Sequence, residues 1–305
     1  MEYSFQRYLV AKKSVDDRAL NQHVWEALKD ALAQMEKQPL KVLEAGAGTG
    51  TMVERALERG LIKDAVYRAL DSEPENIQAA RSRILGWAGR SGWQARVVDA
   101  GIDLSRGDSK VSVHLETRDI LDLMRHRKRP VCDLLIANAF LDLFDISRIL
   151  PGLRRLVKPG GLAYFSINFD GLTAFEPVFD NQLEERILAA YHSSMDERIT
   201  NGSPSGDSRA GRHLFTELPR AGFQVLDAGS SDWVVYPRKG VYPDDEAFFL
   251  HHILHFFEVS LRGRPEITAE ELKSWLDRRH AEVETAGLVF MAHQIDVLAG
   301  VVETG

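Results

Sequence analysis

Short apolar stretches alternate with longer segments of helical periodicity through the middle of the chain. The apolar stretches occupy residues 42–45, 65–70, 111–116, 132–137 and 162–169. Strands that alternate with helices in this way predict a parallel sheet with right-handed crossovers. We therefore expect a doubly wound α/β core that begins near Leu40.

Two further strands are expected beyond this core pattern, at 223–227 and at 288–292. Between them, one almost wholly apolar helix runs from about residue 243 to 261, and a second begins at a Thr268–Glu271 capping box. The sequence thus predicts a Rossmann-like, mostly parallel seven-stranded sheet with a helical insertion between the last two strands. The expected division is an N-terminal lid or helix (1–37), the core (38–242), a helical cap insertion (243–284), and a final core strand with the C-terminus (285–305).

Two local patterns give more specific expectations. Residues 14–17 resemble a capping box and predict the start of an N-terminal helix that runs to Met35. Residues 93–98 predict an additional strand, and the polar stretch 101–108 predicts a turn after it.

A glycine-rich loop follows the first strand. Glu44 is followed by Gly46, Gly48 and Gly50, and a helical segment begins at Thr51. Glycines allow a sharp turn and a close approach of backbone to ligand, and the free N–H groups of the helix N-terminus face that ligand. Dinucleotide sites space these glycines differently, and an acid beside the loop would repel a pyrophosphate. A ligand that carries an ammonium and a sulfonium fits this loop better.

The loop resembles the first motif of the class I S-adenosylmethionine (SAM)-dependent methyltransferases. Later motifs follow in the family's order: Asp71 after the second strand, Asp119-Ile120 after the third, Asp133 at the start of the fourth, and Lys158-Pro159-Gly160-Gly161 before the fifth. The resemblance covers about residues 38–230 and identifies the chain as similar to this family.

The resemblance implies SAM as the cofactor. It implies that the amino-acid end lies at the glycine loop, the ribose at Asp71 and the adenine at Asp119 and Ile120. Asp119 is also a candidate helix N-cap, and the two roles can coexist. The expected cofactor-binding residues are Glu44, Ala45, Gly46, Gly48, Gly50, Asp71, Ser72, Asp119, Ile120, Asn138, Ala139 and Phe140.

The acceptor pocket is expected where the insertion and the N-terminal segment meet the carboxyl end of the sheet. Candidate pocket residues are Tyr3, Tyr8, His251 and His255. Aromatic and basic residues interleave in the N-terminal segment, which could be a lid over the site or an ordinary packing helix. The insertion could also form a homodimer interface. Two histidines four residues apart can bind zinc, but no third ligand can be nominated, so no metal site is expected. No catalytic residue is identified.

Net charge and one short motif restrict the class of molecule that is expected to accept the methyl group. Net charge is −7 with no basic block, which argues against nucleic acid. The stretch from Asn138 to Phe140 lacks the prolines typical of enzymes that methylate amide or base nitrogens. We therefore expect a small-molecule acceptor whose reacting atom (O, N or C) the sequence does not specify.

The remaining bulk features agree with a cytoplasmic enzyme. Cys132 is the only cysteine, so no intrachain disulfide is possible, and neither a signal peptide nor a long apolar span is evident. Two alternatives stay open: a regulatory or non-catalytic protein that binds SAM or S-adenosylhomocysteine, and a nicotinamide-dependent oxidoreductase.

Overall fold

The computed structural model describes residues 3–35, 39–99, 101–127, 129–200 and 202–302. Its strands are β1 (Leu40–Ala45), β2 (Asp64–Asp71), β3 (Gln94–Val98), β4 (Gly101–Arg106), β5 (Ser109–Thr117), β6 (Cys132–Asn138), β7 (Val157–Glu176), β8 (Ile199–Thr200), β9 (Ser203–Pro204), β10 (Gln224–Ser230), β11 (Trp233–Val235) and β12 (Val289–Gly300). Its helices are α1 (Phe5–Ala19), α2 (Gln22–Ala33), α3 (Thr51–Glu58), α4 (Pro74–Arg90), α5 (Ile120–His126), α6 (Ile146–Leu156), α7 (Asn181–Asp196), α8 (Ala210–Arg220), α9 (Glu246–Leu261) and α10 (Ala269–Glu284).

The main sheet has the order β10-β12-β7-β6-β1-β2-β5-β4-β3, and β11 pairs with β12. The strands β5, β2, β1, β6 and β7 are parallel, whereas β12 runs antiparallel between β7 and β10. Helices cover both faces, with α5, α6 and α8 on one and α2, α3 and α4 on the other. This is a doubly wound, mostly parallel α/β fold, so the predicted fold class is confirmed.

The sheet is larger than predicted, because the described residues form ten strands in it and seven were expected. One reason lies at residues 101–108, where a polar turn was expected. Gly101–Arg106 is instead strand β4, which pairs antiparallel with both β3 and β5. Ile102 and Leu104 are buried and alternate with partly exposed Asp103 and Ser105. This period-2 pattern is that of a half-buried strand and outweighs the polar composition.

The N-terminal helix also begins earlier than predicted. Ser4, not Ser14, caps α1, since its side chain accepts a hydrogen bond from the Arg7 N–H. The expected capping box at 14–17 lies inside α1 and forms ion pairs with the preceding turn. Lys12 Nζ lies 3.0 Å from Asp16, and Lys13 Nζ lies 2.7 Å from Asp17. A second helix, α2, follows with Asn21 as its N-cap.

The helical insertion lies between β11 and β12. The Thr268 capping box that starts α10 is confirmed, as is a final strand in the main sheet. Helix α9 packs against α10, α7 and α1. Arg18 of α1 makes two hydrogen bonds to the fully buried Glu246 of α9, at 2.5 and 2.9 Å. The N-terminal helix and the insertion are therefore joined by an ionic contact between a partly exposed arginine and a buried glutamate.

Candidate active site

The loop between β1 and α3 turns through three glycines in the left-handed region, with φ of +71° at Gly46, +52° at Gly48 and +76° at Gly50. A Cβ at Gly46 would lie 2.3 Å from the ring of Phe140, and one at Gly48 would lie 3.1 Å from Leu9. A Cβ at Gly50 would lie 3.1 Å from a side chain of α4. The first two glycines therefore let neighbouring side chains close over the loop, and the third lets two helices pack.

Glu44 lies at the carboxyl end of β1 and is only 2% exposed. Its Oε2 accepts a hydrogen bond from the Tyr67 hydroxyl at 2.8 Å. Burial raises the pKa of Glu44 to about 7, while the Tyr67 hydrogen bond and the charge of Arg55 act in the opposite direction. A cation placed beside this carboxylate would stabilise its ionised form.

Asp71 ends the neighbouring strand β2 and anchors the glycine loop. Its Oδ2 accepts from the Gly48 N–H at 2.8 Å, and its Oδ1 accepts from the Glu73 N–H and from Asn76 Nδ2 at 3.0 and 3.1 Å. A carboxylate offers about four acceptor sites. Oδ2 therefore has capacity left for a hydroxyl of a bound molecule.

The third strand end carries Asp119 and Ile120. Asp119 caps α5, because its Oδ1 accepts from the Leu121 N–H at 2.7 Å. The cap uses only one carboxylate oxygen of Asp119, so the other oxygen can accept a hydrogen bond from a ligand. Ile120 is buried, and Ser72 lies at the end of β2 on the same side.

Asn138, Ala139 and Phe140 follow strand β6. The Oδ1 of Asn138 accepts from Ser166 Oγ at 2.8 Å. Ala139 has a φ of +49°, a strained conformation for a residue with a side chain, and Phe140 turns back over Gly46. The chain thus leaves the sheet through a constrained turn that directs Phe140 onto the loop.

These strand ends surround one cavity of about 240 Å³, which we name the glycine-loop cavity. Ten of the twelve residues predicted to bind the cofactor line it. The exceptions are Ala45, which is fully buried within the sheet, and Gly50, which contacts α4. Strand β1 pairs with both β2 and β6, so its carboxyl end lies beside theirs, which brings the predicted residues together.

Two residues that sequence reasoning missed also line this cavity. Leu9 of α1 lies over Gly48. Thr49, inside the glycine loop, is 1% exposed, and its Oγ1 has no hydrogen-bond partner among the described residues. Its position within the motif was a usable signal, whereas nothing local indicates the contact of Leu9.

A second cavity, of about 380 Å³, lies between α1, α7, α9, β7 and β12. We name it the aromatic cavity after the rings that line it, which are Phe5, Tyr8, Phe169, Tyr191, Trp233 and Phe256. It shares with the glycine-loop cavity the residues Phe5, Leu9, Lys12, Ala139 and Leu143. The two cavities are therefore adjacent, and α1 contributes to both.

The polar side chains of the aromatic cavity include Asp142, Lys12 and Arg198. Asp142 lies just beyond Phe140, and its buried Oδ1 has no hydrogen-bond partner among the described residues. Burial raises the pKa of Asp142 to about 6, although a hydrogen bond from its own backbone N–H and the charges of Lys12 and Arg198 act to lower it. Sequence reasoning did not select Asp142, because no motif marks it.

Of the four predicted acceptor-pocket residues, only Tyr8 lines the aromatic cavity. His251 faces α10 instead, with its Nδ1 2.7 Å from that of His280 and its Nε2 3.0 Å from Glu284. Tyr3 stacks on His255 with ring centroids 4.0 Å apart, and neither ring is part of the cavity lining.

The misplacement of His251 and His255 has a geometric cause. Helix α9 is buried on nearly every side, so apolarity does not reveal which face meets the cavity. The face of α9 that lines the cavity carries Ile253, Phe256 and Ser260, and it is rotated away from the predicted pair His251 and His255.

Within the described ranges, no group of three potential metal ligands occurs. No helix in the same ranges is long and apolar enough to cross a membrane.

No protein-family model and no curated protein matches this chain. Among solved structures, a geranyl diphosphate methyltransferase in complex with SAM is 11% identical, with 91% of this chain and 84% of that chain covered and a TM-score of 0.43. A structure described for disulfide-to-thioacetal conversion in echinomycin biosynthesis is 18% identical, with coverages of 92% and 82% and a TM-score of 0.44. A cyclopropane synthase from Mycobacterium tuberculosis is 12% identical, with coverages of 90% and 83% and a TM-score of 0.42. Likenesses this distant do not assign an activity to the chain.

Proposed function

We propose that this protein transfers a methyl group from SAM to a small-molecule acceptor. The observation that carries the proposal is the convergence of Glu44, Thr49 and Asp71 on one cavity beside a glycine loop. Each presents a polar group suited to a different part of SAM, and the loop leaves room for the ligand to lie against the backbone.

The residues fit the cofactor part by part. Glu44 would hold the ammonium, since a buried carboxylate gains most from a nearby cation. The Thr49 hydroxyl, which has no hydrogen-bond partner among the described residues, would bind the carboxylate of the amino-acid end together with Lys12, which also pairs with Asp16. Asp71 would accept from a ribose hydroxyl, and Asp119 and Ile120 would contact the adenine.

When bound, SAM supplies a methyl group on a sulfonium, which is the electrophile of the reaction. The protein contributes by alignment and by exclusion of water. Leu9 and Phe140 close over the loop on the cofactor side, and the rings of the aromatic cavity would enclose the acceptor. The acceptor would reach the cofactor where the two cavities share their lining.

In this proposal, α1 acts as a lid and the α9–α10 insertion as a cap. Helix α1 lines both cavities through Phe5, Leu9 and Lys12, and α9 lines the aromatic cavity. The Arg18–Glu246 contact holds the two helices together. Acceptor specificity would therefore reside in segments outside the cofactor-binding core.

The two alternative functions are less well supported. A nicotinamide dinucleotide would bring its pyrophosphate close to the buried Glu44, and like charges so placed repel. A non-catalytic SAM-binding protein needs no acceptor site, whereas here a second cavity adjoins the first. Methyl transfer accounts for both cavities.

The direct test is methyl transfer from SAM labelled in its methyl group to a mixture of cellular metabolites. We expect label to appear in small molecules with the wild-type protein and to be strongly reduced with Asp71→Ala. Label in protein or nucleic acid alone would contradict a small-molecule acceptor. S-adenosylhomocysteine binding with no transfer to any fraction would favour the non-catalytic alternative.

A further inference from the structure

We propose that Asp142 is a catalytic residue that accepts the proton of a hydroxyl group on an aromatic acceptor bound in the aromatic cavity. This inference rests on the proposed methyl transfer and specifies its substrate class. It starts from an anomaly: a carboxylate oxygen is buried in an aromatic setting without a donor among the described residues. An unsatisfied buried polar atom is costly to stability, which indicates a role outside packing.

The position of Asp142 suits a group that acts on the reacting atom. It lies two residues beyond Phe140, which covers the glycine loop, and directly precedes Leu143, which lines both cavities. Its backbone is fixed, because its carbonyl oxygen accepts from the Asp207 N–H at 3.1 Å. The side chain is thereby held at the aromatic cavity close to its junction with the glycine-loop cavity.

The rings that line the aromatic cavity indicate which kind of molecule it would bind. Tyr8, Tyr191 and Phe256 present flat apolar surfaces around the cavity, and aromatic faces pack well against another aromatic ring. The cavity volume of about 380 Å³ can hold a molecule with one or two rings. The acceptor is therefore expected to be aromatic and largely apolar.

The charges around Asp142 favour a hydroxyl over an ammonium. Both Lys12 and Arg198 line the cavity, but the charge of Lys12 is balanced by Asp16 at 3.0 Å, so Arg198 is the group that would repel a cationic acceptor. Arg198 also acts to lower the pKa of Tyr191, although burial raises that pKa to about 12 overall. A substrate hydroxyl at the same place would experience the same positive charge, which offsets part of the cost that burial adds to its ionisation.

The proposed step is balanced. The oxygen of the acceptor hydroxyl forms a bond to the methyl carbon as the carbon–sulfur bond breaks, and that electron pair stays on sulfur as a neutral thioether. The hydroxyl proton passes to Oδ1 of Asp142, which later returns it to solvent. No oxidant, reductant or metal is required.

The step also predicts a pH dependence. The groups that face Asp142 are Lys12 and Tyr8 of α1, Tyr191 of α7, Arg198 just after α7, and Asp207 before α8. Burial raises the pKa of Asp142 to about 6, so its carboxylate is ionised above that pH and protonated below it. Affinity for a hydroxyl donor should therefore fall as the pH drops through about 6, and Asp142→Asn should abolish this dependence.

The test measures binding of naphthol by fluorescence to the full-length protein saturated with S-adenosylhomocysteine. Methoxynaphthalene, which has no proton to donate, and naphthylmethylamine, which is cationic, serve as matched probes. We expect Asp142→Asn to weaken naphthol binding by roughly tenfold or more, since a hydrogen bond to a charged group is lost. Methoxynaphthalene binding should change little, and Asp145→Asn, outside the cavity lining, should leave all three affinities unaltered.

Each result has a defined meaning. No measurable naphthol binding to the wild-type protein, or equal naphthol affinity in wild type and Asp142→Asn, would overturn the role of Asp142. Preference for naphthylmethylamine, lost in Asp142→Asn, would overturn the hydroxyl class. S-adenosylhomocysteine affinity is measured on the same proteins, so failure of the cofactor site is seen separately. If Asp142→Asn does not fold, the wild-type pH profile of naphthol binding still decides, because a flat profile through about pH 6 contradicts the proposal.

Discussion

The glycine-loop cavity and the aromatic cavity adjoin each other but are assembled from different kinds of structure. Most residues of the glycine-loop cavity lie at or just beyond the carboxyl ends of β1, β2, β5 and β6, so the sheet itself positions them. Rings of the second come from α1, α7, α9, β7 and the separate strand β11, and depend on long-range packing. Cofactor binding should therefore be sensitive to single backbone changes, and acceptor binding to the docking of helices.

The largest loss of stability and of ligand affinity is expected from Gly46→Ala. This variant tests whether the glycine-loop cavity requires the left-handed backbone of its loop. The new Cβ would lie 2.3 Å from the Phe140 ring in a left-handed conformation. The strain and the overpacking together should cost about 2–5 kcal/mol and abolish measurable S-adenosylhomocysteine binding. Chemical denaturation and calorimetry measure the two effects.

Gly60→Ala is the matched control for that variant. Gly60 also has a positive φ, +64°, but a Cβ there would meet nothing within 4 Å. It should show only the backbone cost of about 1–2 kcal/mol and normal ligand affinity. Equal behaviour of the two variants would show that closure of Phe140 over the loop does not matter.

The next effect concerns Asp71, whose replacement by alanine should weaken S-adenosylhomocysteine affinity by tenfold or more. A charge-assisted hydrogen bond to a ribose hydroxyl contributes roughly 1.5–3 kcal/mol, and the loop loses its anchor at the Gly48 N–H. Asp64→Ala, at the exposed opposite end of the same strand, should retain full affinity. Unchanged calorimetric affinity in Asp71→Ala would remove the ribose assignment.

A smaller effect should distinguish the two ionic contacts that join α1 to the start of the insertion. Arg18→Ala removes the cation that pairs with the fully buried Glu246 and leaves it, within the described part of the chain, only the hydrogen bond from Ser14. This loss should cost about 2–3 kcal/mol of unfolding free energy. Arg7→Ala breaks an exposed pair with Asp245 and should cost about 1 kcal/mol or less. If the aromatic cavity depends on helix docking, Arg18→Ala should also weaken naphthol binding. Equal losses of stability in Arg18→Ala and Arg7→Ala would mean that burial of Glu246 does not make its ion pair more stabilising than the exposed one.

The smallest effect is the pH dependence of the cofactor site. Burial raises the pKa of Glu44 to about 7, above its ordinary value, so the carboxyl is increasingly neutral below that pH. A bound ammonium favours the ionised form, so affinity for S-adenosylhomocysteine should fall severalfold between about pH 7.5 and about pH 5.5. Glu44→Gln should bind more weakly with a flat profile over that range. A wild-type profile that is equally flat would remove Glu44 from the ammonium site.

The sequence predicted the residues of the glycine-loop cavity better than those of the aromatic cavity. Gly46, Asp71 and Asp119 were placed correctly at one cavity because each follows a strand whose parallel partners end at the same edge. Their function as cofactor ligands stays a prediction. The position of β4 was missed because its three polar residues outnumber its two buried apolar side chains, Ile102 and Leu104.

The second cavity was harder to predict for a physical reason. Helix α9 is apolar nearly all round, so its sequence does not show that Phe256 faces the cavity while His251 faces α10. Asp142 lies in a short turn, and the environment that sets its pKa comes from residues distant in sequence, such as Arg198. Tyr8, which was selected because aromatic residues are concentrated in the N-terminal segment, lines the aromatic cavity, and its role in acceptor binding stays a prediction.

The central claim, that the glycine-loop cavity is a SAM site, is tested most directly by ligand-induced stabilisation of the wild-type protein. S-adenosylhomocysteine at a hundredfold its Kd should add about 2.7 kcal/mol to the unfolding free energy and raise Tm by several degrees. NAD and NADP at the same concentration should leave Tm unchanged. A shift with NAD or NADP and none with S-adenosylhomocysteine would contradict the account.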